Sequence, residues 1–208
     1  MKTDNWLDYC GMFYEGTARV GLNEKWNIIS NKGKYMFKTW FDWIGNFKQG
    51  SALVSLGNKW NYIRNDGKLL SVMWFDWFGK FNDDFAMVMA CDKHNFIGKD
   101  GKLLSDVWFD DCNYFYEGFA QVALNGKWNY IDVDGKFLSS TWLEWCDHFK
   151  EGFARVMLDG KWNFISEGGK YLSDAWFDYA HSFKDGFAPT QIGKIWYYID
   201  KEGGLHEH

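Results

Sequence analysis

The sequence predicts an all-β protein made of tandem β-hairpin, or meander, repeats that stack as an open, solenoid-like superhelical array. Three observations predict this class. Aromatic residues make up 21% of the 208 residues, whereas proline occurs once. Tryptophan and glycine recur every 34 residues along the whole chain. Alternating apolar and polar residues flank Asn-Gly or Asp-Gly dipeptides, which is the pattern of β-hairpins.

Two columns of aromatic residues define the repeat. The first column contains Trp6, Trp40, Trp74, Trp108, Trp142 and Trp176, and the second contains Trp26, Trp60, His94, Trp128, Trp162 and Trp196. No insertion or deletion interrupts either column, so the chain is interpreted as a single repeat domain, 1–208. Its units are 6–39, 40–73, 74–107, 108–141, 142–175 and 176–208.

The fifth unit shows the expected elements in order. Its opening segment, 142–144, is either a short strand or the connection between units. Residues 153–158 alternate as a half-buried strand does, the dipeptide Asp159-Gly160 predicts a type I′ turn, and 161–166 form the return strand. After a glycine turn, residues 170–173 are expected to add a short third strand.

A helical repeat of the same length is excluded by the residue pattern. Tetratricopeptide units also span about 34 residues, but they consist of two amphipathic helices. Here no segment keeps apolar residues at a spacing of 3.6, and glycine recurs at least twice in each unit.

The fourth unit carries the motifs of a known repeat. Residues 115–122 read Phe-x-x-Gly-Phe-Ala-x-Val, 126–132 read Gly-Lys-Trp-Asn-Tyr-Ile-Asp, and 134–136 read Asp-Gly-Lys. In these motifs the chain resembles the WG, or KWG, repeat of bacterial proteins over nearly its whole length. Members of this family are presumed to be binding or structural arrays. This chain departs from the family pattern in having Asn where the family has Gly after the Trp. The departure recurs at Asn27, Asn61, Asn95, Asn129 and Asn163.

Whether the array is open or closed depends on its ends. A whole number of units also fits a closed, six-bladed propeller-like ring, although 34 residues is short for a four-stranded blade. The last unit places Pro189 in its first long strand, and proline is tolerated mainly at sheet edges. The polar end, Leu-His-Glu-His, is typical of a cap, so the open array is favoured.

The composition of the chain argues against some classes of binding partner. The 23 Lys and Arg against 28 Asp and Glu give a net charge of −5, which argues against nucleic acid. No long apolar run predicts membrane insertion, and the start lacks the apolar stretch of a signal peptide, so a cytoplasmic location is expected. The four cysteines fit neither a disulfide framework nor a metal motif and are expected to be reduced and buried.

Four sets of residues are candidates for function. The acidic column and the two lysine columns are interpreted as turn caps and solvated ladders, and the two tryptophan columns as core. The acidic column contains Asp8, Asp42, Asp76, Asp110, Glu144 and Asp178; one lysine column contains Lys25, Lys59, Lys93, Lys127 and Lys161, and the other contains Lys34, Lys68, Lys102, Lys136 and Lys170. A third aromatic column tolerates Asp111 in unit four, so it is expected to face solvent and to bind a partner. This candidate binding column consists of Tyr9, Trp43, Trp77, Trp145 and Tyr179.

Catalysis and metal binding have weak support in the sequence. No motif supplies a nucleophile and a base, so the chain is not expected to be an enzyme, and no cofactor or metal site is predicted. The third unit departs most from the others, with Asp84, Cys91 and His94 at unusual positions. A metal site would need further ligands, and none is nearby in the sequence. These residues therefore indicate either specialisation or drift.

The hypothesis from sequence is therefore a non-enzymatic scaffold that presents a repetitive aromatic surface to a protein partner. The alternative is a module that binds a carbohydrate or a choline-type ligand of the cell envelope. Residues 194–200, Lys-Ile-Trp-Tyr-Tyr-Ile-Asp, resemble a hairpin of choline-binding repeats, and this likeness is local.

Overall fold

The computed structural model describes residues 6–48, 50–82 and 84–207, and within them it contains nineteen strands and no helix. This confirms the all-β repeat prediction. The contacts divide the chain into two compact units, each of which spans several of the six sequence units; the sequence units are called repeats from here on. Unit 1 comprises Met1–Asp92 and Phe96–Leu103, and unit 2 comprises Lys93–Asn95 and Leu104–His208. The single domain, the open array and the closed ring stay predictions.

Each repeat forms one antiparallel sheet with a short first strand and two long strands. Unit 1 contains β1 (Tyr9–Cys10), β2 (Thr17–Leu22), β3 (Lys25–Ser30), β4 (Trp43–Ile44), β5 (Ser51–Leu56), β6 (Lys59–Arg64), β7 (Trp77–Phe78), β8 (Phe85–Ala90) and the second half of β9 (Lys93–Gly98). Unit 2 contains β10 (Asp111–Cys112), β11 (Phe119–Leu124), β12 (Lys127–Asp132), β13 (Trp145–Cys146), β14 (Phe153–Leu158), β15 (Lys161–Ser166), β16 (Tyr179–Ala180), β17 (Phe187–Ile192), β18 (Ile195–Asp200) and β19 (Leu205–Glu207).

The hairpin turns form where the dipeptides predict them. Asp159 and Gly160 have φ values of 50° and 71°, and Asn125 and Gly126 have values of 53° and 74°. Positive φ at both central residues is what a type I′ turn requires, and its twist matches that of the flanking strands. The turn fixes the register, which pairs Val156 with Asn163.

The segments that join repeats differ from the sequence expectation. Phe177 makes a single bridge to Trp162 of the preceding repeat, and the first strand of the new sheet begins two residues later. The opening segment is thus mainly a connection. The short third strand predicted at 170–173 is wrong, because only Tyr171 bridges, to Ile165, and the chain then turns away.

Apolar residues are buried between consecutive sheets. In unit 2, Tyr130 of one repeat packs with Leu143, Phe149 and Val156 of the next. A repeat therefore cannot bury its apolar face without a neighbour. The core prediction for the two tryptophan columns holds in part. Rings of both columns pack against the buried clusters, among them Trp26, Trp74, Trp128 and Trp162, but each described ring is half-buried or exposed rather than fully buried.

The position of Pro189 differs from the edge position that the sequence indicated for the last repeat. It lies in β17, a central strand of the sheet β16-β17-β18-β19, and pairs with Tyr198. Its carbonyl accepts the N–H of His181, so its own nitrogen faces the same side, beyond the end of the two-residue β16. Proline is tolerated there because the short first strand ends before it.

Among the described residues, no helix has the length and apolar character needed to cross a membrane.

Candidate binding surfaces

The acidic column caps the hairpin turns, as predicted. Each carboxylate accepts the N–H of a residue in the hairpin turn of its own repeat, at 2.6 to 2.9 Å. The pairs are Asp8 with Asn23, Asp42 with Gly57, Asp76 with Cys91, Asp110 with Asn125, Glu144 with Gly160 and Asp178 with Gly193. These acids therefore stabilise the hairpin turns of the fold.

Lysines of the preceding repeat hold the same carboxylates. Lys25 pairs with Asp42, Lys59 with Asp76, Lys93 with Asp110, Lys127 with Glu144 and Lys161 with Asp178. The Lys25 amine and the N–H of Gly57 lower the pKa of Asp42, and Asp76, Asp110 and Asp178 have lowered pKa values for the same reasons. This lysine column thus tethers each repeat to the next.

The asparagines that depart from the family pattern are fully buried, a role that the sequence did not reveal. In Asn163 the side-chain N–H groups donate to Ser173 and Ala175, at 2.8 and 3.2 Å, and the side-chain oxygen accepts the N–H of Phe164 at 2.7 Å. The side chain thereby satisfies the backbone of the connection to the next repeat, which forms no regular ladder. The equivalent residues Asn27 and Asn61 make the corresponding bonds.

The candidate column lies on the short first strands and is largely exposed. The exposed fractions of Tyr9, Trp43, Trp77 and Tyr179 are 45%, 42%, 39% and 40%. Trp145 is half-buried. Its binding role stays a prediction.

The second tryptophan column lies beside the candidate column, which widens the aromatic surface. Register places Trp145, Met157 and Trp162 side by side across three strands, and the rings of Trp145 and Trp162 meet edge to face at 5.4 Å. The pairs Tyr9–Trp26, Trp43–Trp60 and Tyr179–Trp196 meet in the same way at 5.3, 5.7 and 5.9 Å. We call these paired rings the aromatic strip.

Within unit 2 the aromatic strip is continuous from one repeat to the next. The ring of Trp162 also contacts Tyr179, at a centroid distance of 6.2 Å, and Tyr179 contacts Trp196. Edge-to-face contacts fix the orientation of each ring while leaving ring surface in solvent.

Two arginines brace the aromatic strip. The Arg155 guanidinium lies over the rings of Trp145 and Trp162, at 5.1 and 4.6 Å from their centroids, and donates to the Ala180 carbonyl at 2.6 Å. In unit 1, Arg19 lies over Tyr9 and Trp26 and donates to the next repeat. Cation–π contact and a carbonyl anchor together hold the rings in place before any partner binds.

The unusual residues of the third repeat do not form a metal centre. Asp84 pairs with Lys99 at 3.2 Å, and the His94 ring lies 3.2 Å from the Asp110 carbonyl. Across the described ranges no three His, Cys, Asp or Glu residues are grouped to hold a metal ion. The cysteine prediction was half right, since Cys112 and Cys146 are buried but Cys10 and Cys91 are exposed.

A model of the WG containing repeat matches residues 7–26, 28–60, 96–128, 130–162 and 164–196. The chain belongs to the WG repeat family. This confirms the resemblance found in the motifs. No curated protein is similar enough to be matched.

Solved structures share only a loose likeness with this WG repeat chain. Hsv2 of Kluyveromyces lactis has 11% identity and a TM-score of 0.36, with 90% of this chain and 71% of that one covered. A protein of unknown function from Bacteroides caccae has 14% identity and a TM-score of 0.28, with 89% and 90% covered. PorZ, a surface component of the type-IX secretion system of Porphyromonas gingivalis, has 9% identity and a TM-score of 0.36, with 92% and 31% covered.

Proposed function

We propose that this WG repeat protein is a non-enzymatic interaction scaffold of the cytoplasm that presents its aromatic strip to a protein partner. The observation that carries the proposal is the bracing of partly exposed rings by Arg19 and Arg155. Rigid, partly exposed Trp and Tyr side chains supply large contact areas at low entropic cost, and protein interfaces are enriched in them.

The test is affinity capture of partners from lysate of the source organism. Wild type is compared with a variant that carries Trp43→Ala, Trp77→Ala and Trp145→Ala. The matched control carries Trp40→Ala, Trp142→Ala and Trp176→Ala, which removes three rings of the first tryptophan column instead. Circular dichroism establishes beforehand that all three proteins are folded.

We expect a specific protein to be captured by wild type and by the control variant but not by the candidate-column variant. Equal capture by all three proteins contradicts the proposal, because the aromatic strip would then not be the interface.

A carbohydrate or choline-type ligand is the alternative, and the last repeat favours it locally. In segment 194–200 the rings of Trp196 and Tyr198 are 40% and 39% exposed, and the His181 ring stacks on Trp196 at 5.9 Å. Exposed aromatic faces bind quaternary ammonium groups. Quenching of tryptophan fluorescence by choline, or by one member of a sugar panel, supports this alternative.

A further inference from the structure

A groove of about 1300 Å³ opens on unit 1, and its charge is opposite to that of the whole chain. Its basic lining residues are Arg19, Lys48, Arg64, Lys80 and Lys99. Only Glu15 and Asp66 oppose them among the described lining residues. Because the chain as a whole carries −5, this concentration of positive charge is local.

The groove exists because Ser51 replaces an aromatic ring. Repeats three to six carry Phe at this position, where Phe119 packs on Phe149 at 5.0 Å and Phe153 packs on Phe183 at 5.2 Å. The equivalent neighbour of Ser51 is Phe81, which lines the groove together with Ser51. The hydroxymethyl group of serine cannot fill the volume of a phenyl ring, so space remains above Phe81.

Backbone carbonyls hold the two arginines of the groove, and no carboxylate of the described residues forms an ion pair with either. Arg19 donates to the Ile44 carbonyl at 2.9 Å, and Arg64 donates to the Lys99 carbonyl at 3.1 Å. A carbonyl fixes the guanidinium but does not cancel its charge, and each guanidinium has five N–H donors. The remaining donors suit a carboxylate.

Aromatic residues complete the groove. Trp43 of the candidate column lines it, as do Tyr14 and Tyr62. The volume exceeds the range of about 300 to 1,000 Å³ typical of small-molecule pockets, so a segment of a polymer fits better than a metabolite. Since Trp43 belongs to both surfaces, the groove is continuous with the aromatic strip.

We propose that the groove binds an acidic, carboxylate-rich peptide segment of the protein partner. This inference rests on the proposed scaffold function and adds the chemistry of the partner. Carboxylates of the peptide bind Arg19, Arg64 and the lysines, and its apolar or aromatic side chains pack on Phe81 and Trp43.

The test is fluorescence anisotropy with a fluorescein-labelled octapeptide of alternating Glu and Tyr, at low and at physiological salt. We expect wild type to bind it, with affinity that falls as salt rises. Ser51→Phe installs the ring that repeats three to six already contain, so it is expected to fold while weakening binding by about tenfold or more.

A second variant tests the charge without filling the groove. Lys80→Ser introduces the residue found at the equivalent position of unit 2, Ser182, and is expected to weaken peptide binding several-fold. Its matched control is Lys150→Ser in unit 2, which removes the same charge from a residue that does not line the groove and is expected to leave binding unchanged.

Three outcomes overturn the inference. The first is no binding of the peptide by folded wild type, and the second is an affinity equal to that of wild type in both Ser51→Phe and Lys80→Ser. The third is binding of polygalacturonate at the groove without binding of the peptide. Failure of this inference is separable from failure of the scaffold proposal. If Ser51→Phe still captures the protein partner that the Trp43, Trp77 and Trp145 variant loses, the scaffold stands and the groove proposal falls.

Discussion

Matching repeats of the two units, such as the second and the fifth, differ around the groove but carry the same residues where repeats are joined. Unit 1 has Ser51, Leu53 and Lys80, whereas unit 2 has Phe153, Arg155 and Ser182 at the matching positions. In the fifth repeat the ring of Phe153 packs on Phe183, whereas in the second repeat Ser51 leaves the space above Phe81 that belongs to the groove.

The joining residues show the opposite behaviour. Buried asparagines, turn-capping acids and the lysines that pair with them make the same bonds in both units. The comparison teaches that a few columns hold the repeats together, while others are free to vary and shape a binding surface. The following changes break or sharpen this distinction, in order of decreasing effect.

The largest effect is expected at a glycine where two repeats approach closely. At Gly169 a Cβ would lie 2.4 Å from the Leu138 carbonyl oxygen, whereas at Gly67 of unit 1 the nearest atom, the Met36 carbonyl oxygen, would be 3.3 Å away. Both glycines have positive φ. We expect Gly169→Ala to lower the free energy of unfolding by about 3 kcal/mol or more and Gly67→Ala by about 1 to 2 kcal/mol, measured by urea denaturation.

A turn glycine provides the control for that comparison. Gly160 also has positive φ, but no atom lies within 4 Å of its added Cβ. Gly160→Ala should therefore cost only the backbone strain, about 1 kcal/mol. Equal losses for Gly160→Ala and Gly169→Ala would contradict the close approach.

The buried asparagines are expected to be equally important in both units. Asn61→Ala and Asn163→Ala each remove at least three hydrogen bonds and leave buried backbone groups unpaired, so each should cost about 2 to 4 kcal/mol. The measurement is chemical denaturation of both variants. A small loss at one site and a large loss at the other would contradict the equivalence of the joining columns.

Exchange of the residues that distinguish the units should have opposite consequences. Phe153→Ser removes a ring that packs on Phe183 and should cost about 1 to 3 kcal/mol, whereas Ser51→Phe should cost less than about 1 kcal/mol. Thermal denaturation of the two variants measures this. A severe loss in Ser51→Phe would show that the groove is not spare volume.

Acid should weaken both units through the same column. The pKa values of Asp42 and Asp178 are lowered from 3.8 in the folded state by hydrogen bonds from Lys25 and Lys161 and from the turn N–H groups. Their stabilisation is therefore complete above about pH 4 and is lost as pH falls below this value. The unfolding midpoint should drop between pH 5 and pH 2, and less so in Asp178→Asn.

A carboxylate in the neighbouring hairpin turn serves as the control. Asp159→Asn keeps a favourable Asn-Gly turn and leaves the hydrogen bonds of Asp178 to Lys161 and Gly193 in place, so the drop with acid should persist in this variant. An unchanged pH profile in Asp178→Asn would show that the acidic column does not support the fold.

The smallest perturbation probes the cysteines, which also differ between the units. Cys10 and Cys91 of unit 1 are exposed, whereas Cys112 and Cys146 of unit 2 are buried, and burial raises the pKa of Cys146 to about 12. An alkylating reagent at pH 8 should therefore label two thiols quickly and two only on unfolding, as mass spectrometry of digested protein will show. Rapid labelling of Cys146 would contradict the burial.

Local signals in the sequence were sufficient to predict the hairpins and the role of the acidic column. Asp159-Gly160 fixes a turn through its own backbone preferences, and Asp178 recurs at a fixed distance from a turn. The predictions of a third strand at 170–173 and of an edge position for Pro189 were wrong, because both features depend on where a neighbouring strand ends. The half-burial of Trp162 depends on packing against Arg155 and Trp145, which are not adjacent to it in sequence.

The groove was beyond reach of the sequence alone. It results from the absence of a ring at Ser51 next to Phe81, and only the stacking of repeats brings these residues together. Likewise, the cations that line it come from three repeats, so no single motif contains them. Its trace in the sequence is the small residue Ser51 in a column that holds Phe in repeats three to six, and this trace does not show which residues face it.

The most direct test of the account is titration of the Glu-Tyr octapeptide against wild type and Ser51→Phe, with the unfolding midpoint of both proteins measured in parallel. The account predicts similar midpoints together with peptide binding that is weakened about tenfold or more in the variant. Similar midpoints with equal binding would contradict it, because the position that separates the second repeat from repeats three to six would then have no part in recognition.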